Sequence, residues 1–175
     1  MPQAPLLAAL AVDRKLTELI AAAPMPAIGD AGVDRATSAA LSDWLKREPD
    51  LSDSCQAGLW LLAGDLNRSH TLSQDIPSPE GSFWHGIMHR REGDYDNAKY
   101  WFRRVGGHPV LSELSEEIVA LHQRDSQNAL PWEQLEDASR VASAFVDACR
   151  QRRSELLETI GWLEWQLLFR FCWLN

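Results

Sequence analysis

The sequence has no run of apolar residues near the 18 that a membrane-spanning helix needs, and no window in which Val, Ile and Thr alternate with polar residues over strand length. The first absence excludes a helical membrane span, and the second predicts no sheet. Cysteine is scarce: Cys55, Cys149 and Cys172 are odd in number and widely spaced. They fit neither a CxxC zinc pattern nor a secreted disulfide framework, which points to a reducing cytoplasm. Positive charge is in deficit, with 17 Lys and Arg against 25 Asp and Glu for a net charge of -8. Nucleic acid and anionic membranes reward surplus cations, so neither is expected as a partner. There is no nucleophile elbow, Walker loop or dinucleotide fingerprint, and Gly106-Gly107 follows a helical segment and reads as a stop. Leu6 to Val12 is apolar, but no basic residue precedes it and Asp13, Arg14 and Lys15 follow. It reads as the first turns of a helix and not as a signal peptide.

What is present is helical pattern. The 175 residues are 45% apolar and 24% charged, which suits one all-α domain over 1–175 that holds its own core. Leu6, Leu7, Leu10, Leu16, Leu19 and Ile20 predict a helix from about Pro5 to Ala23, closed by Pro24 and Pro26. Asp34 can cap a second helix that ends at Glu48-Pro49, and Ser52 or Asp53 a third, with a break at Gly64-Asp65. Ser112 or Ser115 can cap a later helix, and Pro131 suits the first turn of another. The stripe through Leu135, Ala138, Ala142, Phe145, Cys149, Leu156, Ile160, Leu163, Leu167 and Phe171 is too long for one helix of a compact domain. An interruption is expected near Gln151 to Ser154 or near Gly161, giving about 7–8 helices and no sheet.

The most informative block runs from Ser82 to Pro109. Two helical patterns flank Gly93-Asp94-Tyr95-Asp96, where Gly93 suits a left-handed cap and Asp94 or Asp96 the start of the next helix. This is an αα-hairpin of about 28 residues. Its Gly93, Tyr95, Ala98, Phe102 and Val105, with Gly86 in the first helix, resemble the second half of a tetratricopeptide repeat, although Val105 replaces the usual Ala and Pro109 arrives one residue early. The resemblance implies helical hairpins in a repeat-like or irregular array that binds a peptide or protein. A shift of 29 residues sets Ala57, Gly64, Asp65, Leu66 and Ser69 against Gly86, Gly93, Asp94, Tyr95 and Ala98, and two of these pairs are identical. The block from Trp84 to Pro109 also resembles one in a family of small proteins without an established activity.

Four of the five histidines, His70, His85, His89 and His108, fall within 39 residues. On a helix His85, His89 and Glu92 project at about 0°, 40° and 340°, from one face. Two imidazoles one turn apart can share a divalent metal such as zinc, iron or manganese, with Glu92 as third ligand and His70 or His108 completing the set. The Glu does not lie between the histidines, so the zinc-protease motif is not met. The alternative is that the imidazoles pack between helices. A second set, Arg90, Arg91, Lys99, Arg103 and Arg104 among Trp84, Tyr100, Trp101 and Phe102, can hold an anionic organic ligand. Its binding residues, with His70 and His108, are then Trp84, Arg90, Tyr100 and Arg103. Against this, Glu92, Asp94 and Asp96 lie near enough to neutralise the cations.

Of eight tryptophans, Trp162, Trp165 and Trp173 share a stripe with Phe169 near the C-terminal end, while Leu163, Leu167, Phe171 and Leu174 form another. A helix apolar on two sides is buried within the domain or pairs with a second copy. Two functions therefore stand side by side. One is a helical module, not an enzyme, that binds a peptide, a protein or its own copy; the other is a metal- or small-ligand-binding protein built on the histidines.

Overall fold

In the computed structural model, residues 14–124, 138–151 and 154–175 are described. They form nine α-helices and no strand: α1 Arg14–Ala22, α2 Arg35–Leu45, α3 Asp53–Leu62, α4 Leu66–Ser73, α5 Pro79–Glu92, α6 Tyr95–Val105, α7 Pro109–Arg124, α8 Val141–Gln151 and α9 Glu155–Leu174. A 3-10 turn, Ala138–Arg140, leads into α8. None of these helices is long and apolar enough to cross a membrane. The expected start of the first helix near Pro5, with Leu6, Leu7 and Leu10, lies outside the described residues, as do Pro131 and Leu135.

Local chemistry sets most boundaries where the sequence places them. Asp34, Ser52, Asp65, Asp94 and Ser154 each accept a backbone N–H three residues ahead, which removes one of the orphan donors at a helix start. One boundary differs from expectation. Helix α7 opens at Pro109, not at Ser112 or Ser115, because His108 does the capping: its Nδ1 accepts the Val110 N–H at 3.2 Å, and Pro109 has no N–H to satisfy. The long C-terminal stripe is interrupted at the first of its two expected places, between Gln151 and Glu155, and α9 runs unbroken through Gly161. Gly161 is retained inside the helix against Ile28 and Phe145.

The shift of 29 residues has a conformational counterpart. Gly64 and Gly93 are both left-handed, with φ of 75° and 86°. Their N–H groups bond Leu61 and Arg90, and the N–H groups of Asp65 and Asp94 bond Trp60 and His89, all four bonds at 2.9–3.2 Å. The two aspartates share one backbone conformation, φ -84° and ψ 77° against φ -85° and ψ 72°. Thus α3–α4 and α5–α6 are two hairpins turned by the same Gly-Asp device. In the second, the small residue matters: a Cβ on Gly86 would meet the Phe102 ring at 3.1–3.2 Å, so α5 and α6 cross closely only because that side chain is missing.

The hairpins stack, α4 packing on α5, and α9 lies against α3 and α7. Trp162, Trp165 and Phe169 stack in series along α9, at centroid separations of 5.1 and 4.9 Å, and all three are buried. Trp165 also donates its indole N–H to the Gly58 carbonyl at 2.7 Å, across 107 residues. Gly58 is where Trp84 sits, since a Cβ there would lie 2.7 Å from its ring. The part of the stripe from Trp162 to Phe169 is therefore buried in the chain's own core, each large side chain contributing about 2–3 kcal/mol, while Trp173 and Phe171 are half-buried and Leu174 is exposed. The three cysteines are buried free thiols, and burial pushes Cys172 up to about 12. That is the opposite of an activated nucleophile.

Candidate metal centre

Helix α4 carries His70, helix α5 carries His85 and His89 one turn apart, and helix α6 carries Asn97 and Trp101. Packing α4 and α6 on α5 brings these together. The His70 ring stands edge-on to His85 at 4.7 Å and to His89 at 5.6 Å between centroids, and His85 and His89 are 4.7 Å apart. One ligand nitrogen from each of the three lies within 4.8 Å of the others. His85 and His89 are buried and His70 is half-buried. At metal–nitrogen distances of about 2.0–2.1 Å, tetrahedral ligands sit about 3.3 Å apart. The three nitrogens stand at most about 1.5 Å farther apart than that.

His85 is the most constrained member. Its ring stacks on Trp101 at 4.0 Å and 16°, and its Nδ1 is buried with no hydrogen-bond partner. Burial, then the neighbouring His89 and His70, push its pKa down to about 4, with the Ser73 backbone carbonyl acting the other way. It is a neutral imidazole at pH 7. An unsatisfied buried polar atom costs about 1–3 kcal/mol, a penalty that a metal bond at that lone pair removes.

His89 is held at both nitrogens. Glu92 meets Nδ1 at 3.2 Å, and the Asn97 amide nitrogen meets Nε2 at 3.1 Å. A carboxylate only accepts, so Nδ1 carries the proton and Nε2 presents the lone pair toward Asn97. Burial lowers the His89 pKa, opposed by Glu92 and Asp94 and assisted by His70. A metal reaches the Nε2 lone pair only if the Asn97 amide gives way, and Glu92 then stands behind the ring as an outer carboxylate does. Glu92, expected as a direct ligand, is bonded to His89 with its side chain 40% exposed and is not among the three residues that converge.

The other candidate residues go elsewhere. His108 lies apart from the three histidines, bonded to Glu80 at 3.2 Å and packed against Phe83 and Phe171. Trp84 is fully buried in the core against Trp165. Arg90 is fully buried and forms two hydrogen bonds with Glu164 of α9, with Phe145 4.1 Å beneath its guanidinium. Lys99 pairs with Asp147 of α8, and Arg104 lies over Trp101. Tyr100 and Arg103 are exposed on α6. The residues expected to surround an organic anion therefore point to separate places and build no common pocket.

Sequence spacing alone put His85 and His89 on one face. It left His70 and His108 as equal alternatives, and it passed over Asn97 and the stacking role of Trp101. No sequence signal separates His70 from His108; the register of α4 on α5 does. No family model, curated protein or solved structure matches this chain.

Proposed function

We propose that the protein binds a divalent transition metal through His70, His85 and His89. The observation that carries this reading is the convergence of three imidazoles from two helices, with the buried Nδ1 of His85 lacking any hydrogen bond. Three nitrogen donors suit zinc or iron better than manganese, which favours carboxylate and water, and no carboxylate among the described residues joins the cluster. Three protein ligands leave a fourth position open, the arrangement of a Lewis-acid site and not of a closed structural one. Glu92 orients His89, and Trp101 walls the His85 side. A site of this kind makes chemistry at the metal the next question, and it names no substrate.

The partner-binding reading, a repeat-like module for a peptide, a protein or a second copy, draws support from the paired Gly-Asp hairpins. Its other support, the Trp-rich stripe of α9, is buried in the core from Trp162 to Phe169, while Leu163, Phe171 and Trp173 are half-buried and Leu174 stays 66% exposed. The metal reading is tested by elemental analysis of untagged protein beside the His85→Ala/His89→Ala variant. Stoichiometric zinc or iron in the first and none in the second supports it. Metal in neither, even after incubation with excess divalent ions, rejects it and leaves the histidines as packing.

A further inference from the structure

On another side of α5 lies a cleft of about 290 Å³, bounded by the connector after α1 and the turn between α3 and α4. Its walls are small and apolar, including Pro24, Pro26, Ala31 and Ala63. They are also fixed in place. The Asp34 N–H bonds the Ala63 carbonyl at 2.9 Å, and Gly64 has no Cβ because the Gly32 carbonyl stands 2.3 Å from where one would be. Arg91 lines this cleft with only 5% of its surface exposed.

Arg91 differs from its neighbour Arg90 in one respect. Arg90 is matched by Glu164 in direct contact, whereas the carboxylate that acts on Arg91, Asp30, does so through space and forms no ion pair with it. Of its five N–H donors, one is used, from Nη1 to the Leu61 carbonyl, and Nε has no partner. A buried cation with no carboxylate in contact is costly, and an anion that enters the cleft beside it relieves that cost. The apolar walls and the volume, at the small end of ligand pockets, fit a short aliphatic tail. Asp34 stands on the lining with its carboxylate committed to the Thr37 N–H at 2.7 Å, and it repels a second negative charge.

We propose that this cleft binds the carboxylate of a small aliphatic monoacid, with Arg91 as its counter-ion and Asp34 selecting against dianions. The site is independent of the histidines, so it stands or falls on its own.

The test is a titration of ¹⁵N-labelled protein with sodium butyrate, followed through the amide signals of Gly32, Ala63 and Gly64. Saturable shifts confined to these positions are expected. Butanol should produce none, and inorganic phosphate and succinate should bind at least tenfold more weakly. Arg91→Met should fold, because the Leu61 carbonyl keeps the Gly64 N–H at 3.1 Å, and it should abolish the shifts. Val33→Trp, on an exposed wall residue, should block the cleft while leaving Arg91 in place. Absent or unsaturable shifts in the parent protein, or shifts that persist in Arg91→Met, would overturn the proposal. In that case Arg91 acts only as a clamp on the C-terminus of α3.

Discussion

Arg90 Nη1 donates to Glu164 Oε1 at 3.0 Å with both side chains out of water, joining α5 to α9 across 74 residues. The pair fixes the rotation of α5 about its axis. Since His85 and His89 ride on the same helix, the contact at one face sets where the imidazoles point on another. A buried pair of this kind stabilises little against an apolar replacement, yet removing one member strands a buried charge.

Arg90→Met and Glu164→Leu are each expected to cost about 3–5 kcal/mol of unfolding free energy. The double variant should recover most of that loss, because no charge is then left unpaired. Urea denaturation of all three, read as a double-mutant cycle, checks this. Equal and additive losses would show that the two side chains act separately.

The histidine cluster gives the metal-free protein an acid sensitivity of defined sign. His85 titrates near 6.5 when unfolded and at about 4 when folded, so the unfolded state binds the extra proton between those values. Stability should therefore fall as pH drops from about 6.5 to 4, by about 3 kcal/mol from this residue, and change little from it above 6.5. His85→Phe, which keeps the stack on Trp101, should flatten that part of the profile. Chemical denaturation at intervals across this range provides the measurement.

Close approach at Gly58 predicts a steric cost. Gly58→Ala places a Cβ 2.7 Å from the Trp84 ring and should destabilise by about 1–3 kcal/mol, with a change in tryptophan fluorescence. Gly93→Ala should cost about 1–2 kcal/mol for a different reason, its left-handed φ of 86°, since nothing stands near the added atom. Gly107→Ala, in open space and without a left-handed φ, is the control and should be neutral. Thermal unfolding of the three variants separates these effects.

The sequence made the helices legible because their signals are local. Asp34, Ser52 and Gly93 act on the backbone within a turn of themselves, and the structure uses each as a cap. The boundary at α7 was less legible, since a histidine that accepts its own helix's N–H is an uncommon cap and Ser112 is a better one on propensity. The 29-residue correspondence is faint in residue identity, yet its two Gly-Asp turns share backbone angles, because Gly-Asp fixes a turn whatever surrounds it. For the site, helical period placed His85 with His89, but His70 reaches them only through packing of α4 on α5. Glu92 satisfied the same period but stands outside the three converging imidazoles, its oxygen bonded at the Nδ1 of His89.

Outer support should be visible in affinity. Glu92→Gln keeps the shape but removes the charge behind His89, and it should weaken metal binding by about 10–100-fold without unfolding the chain. Competition with a chelator of known affinity, at one pH for both proteins, measures this. An unchanged affinity would place Glu92 outside the site.

The convergence of the three imidazoles is tested most directly by titrating the metal-free protein with cobalt(II) and following visible absorption. The account predicts intense ligand-field bands that saturate at one equivalent, are bleached by zinc, and are lost in His70→Ala as well as in His85→Ala/His89→Ala. A spectrum of hydrated cobalt alone, without saturation, would contradict it. So would bands that survive the loss of His70, which would mean that α4 does not contribute to the site.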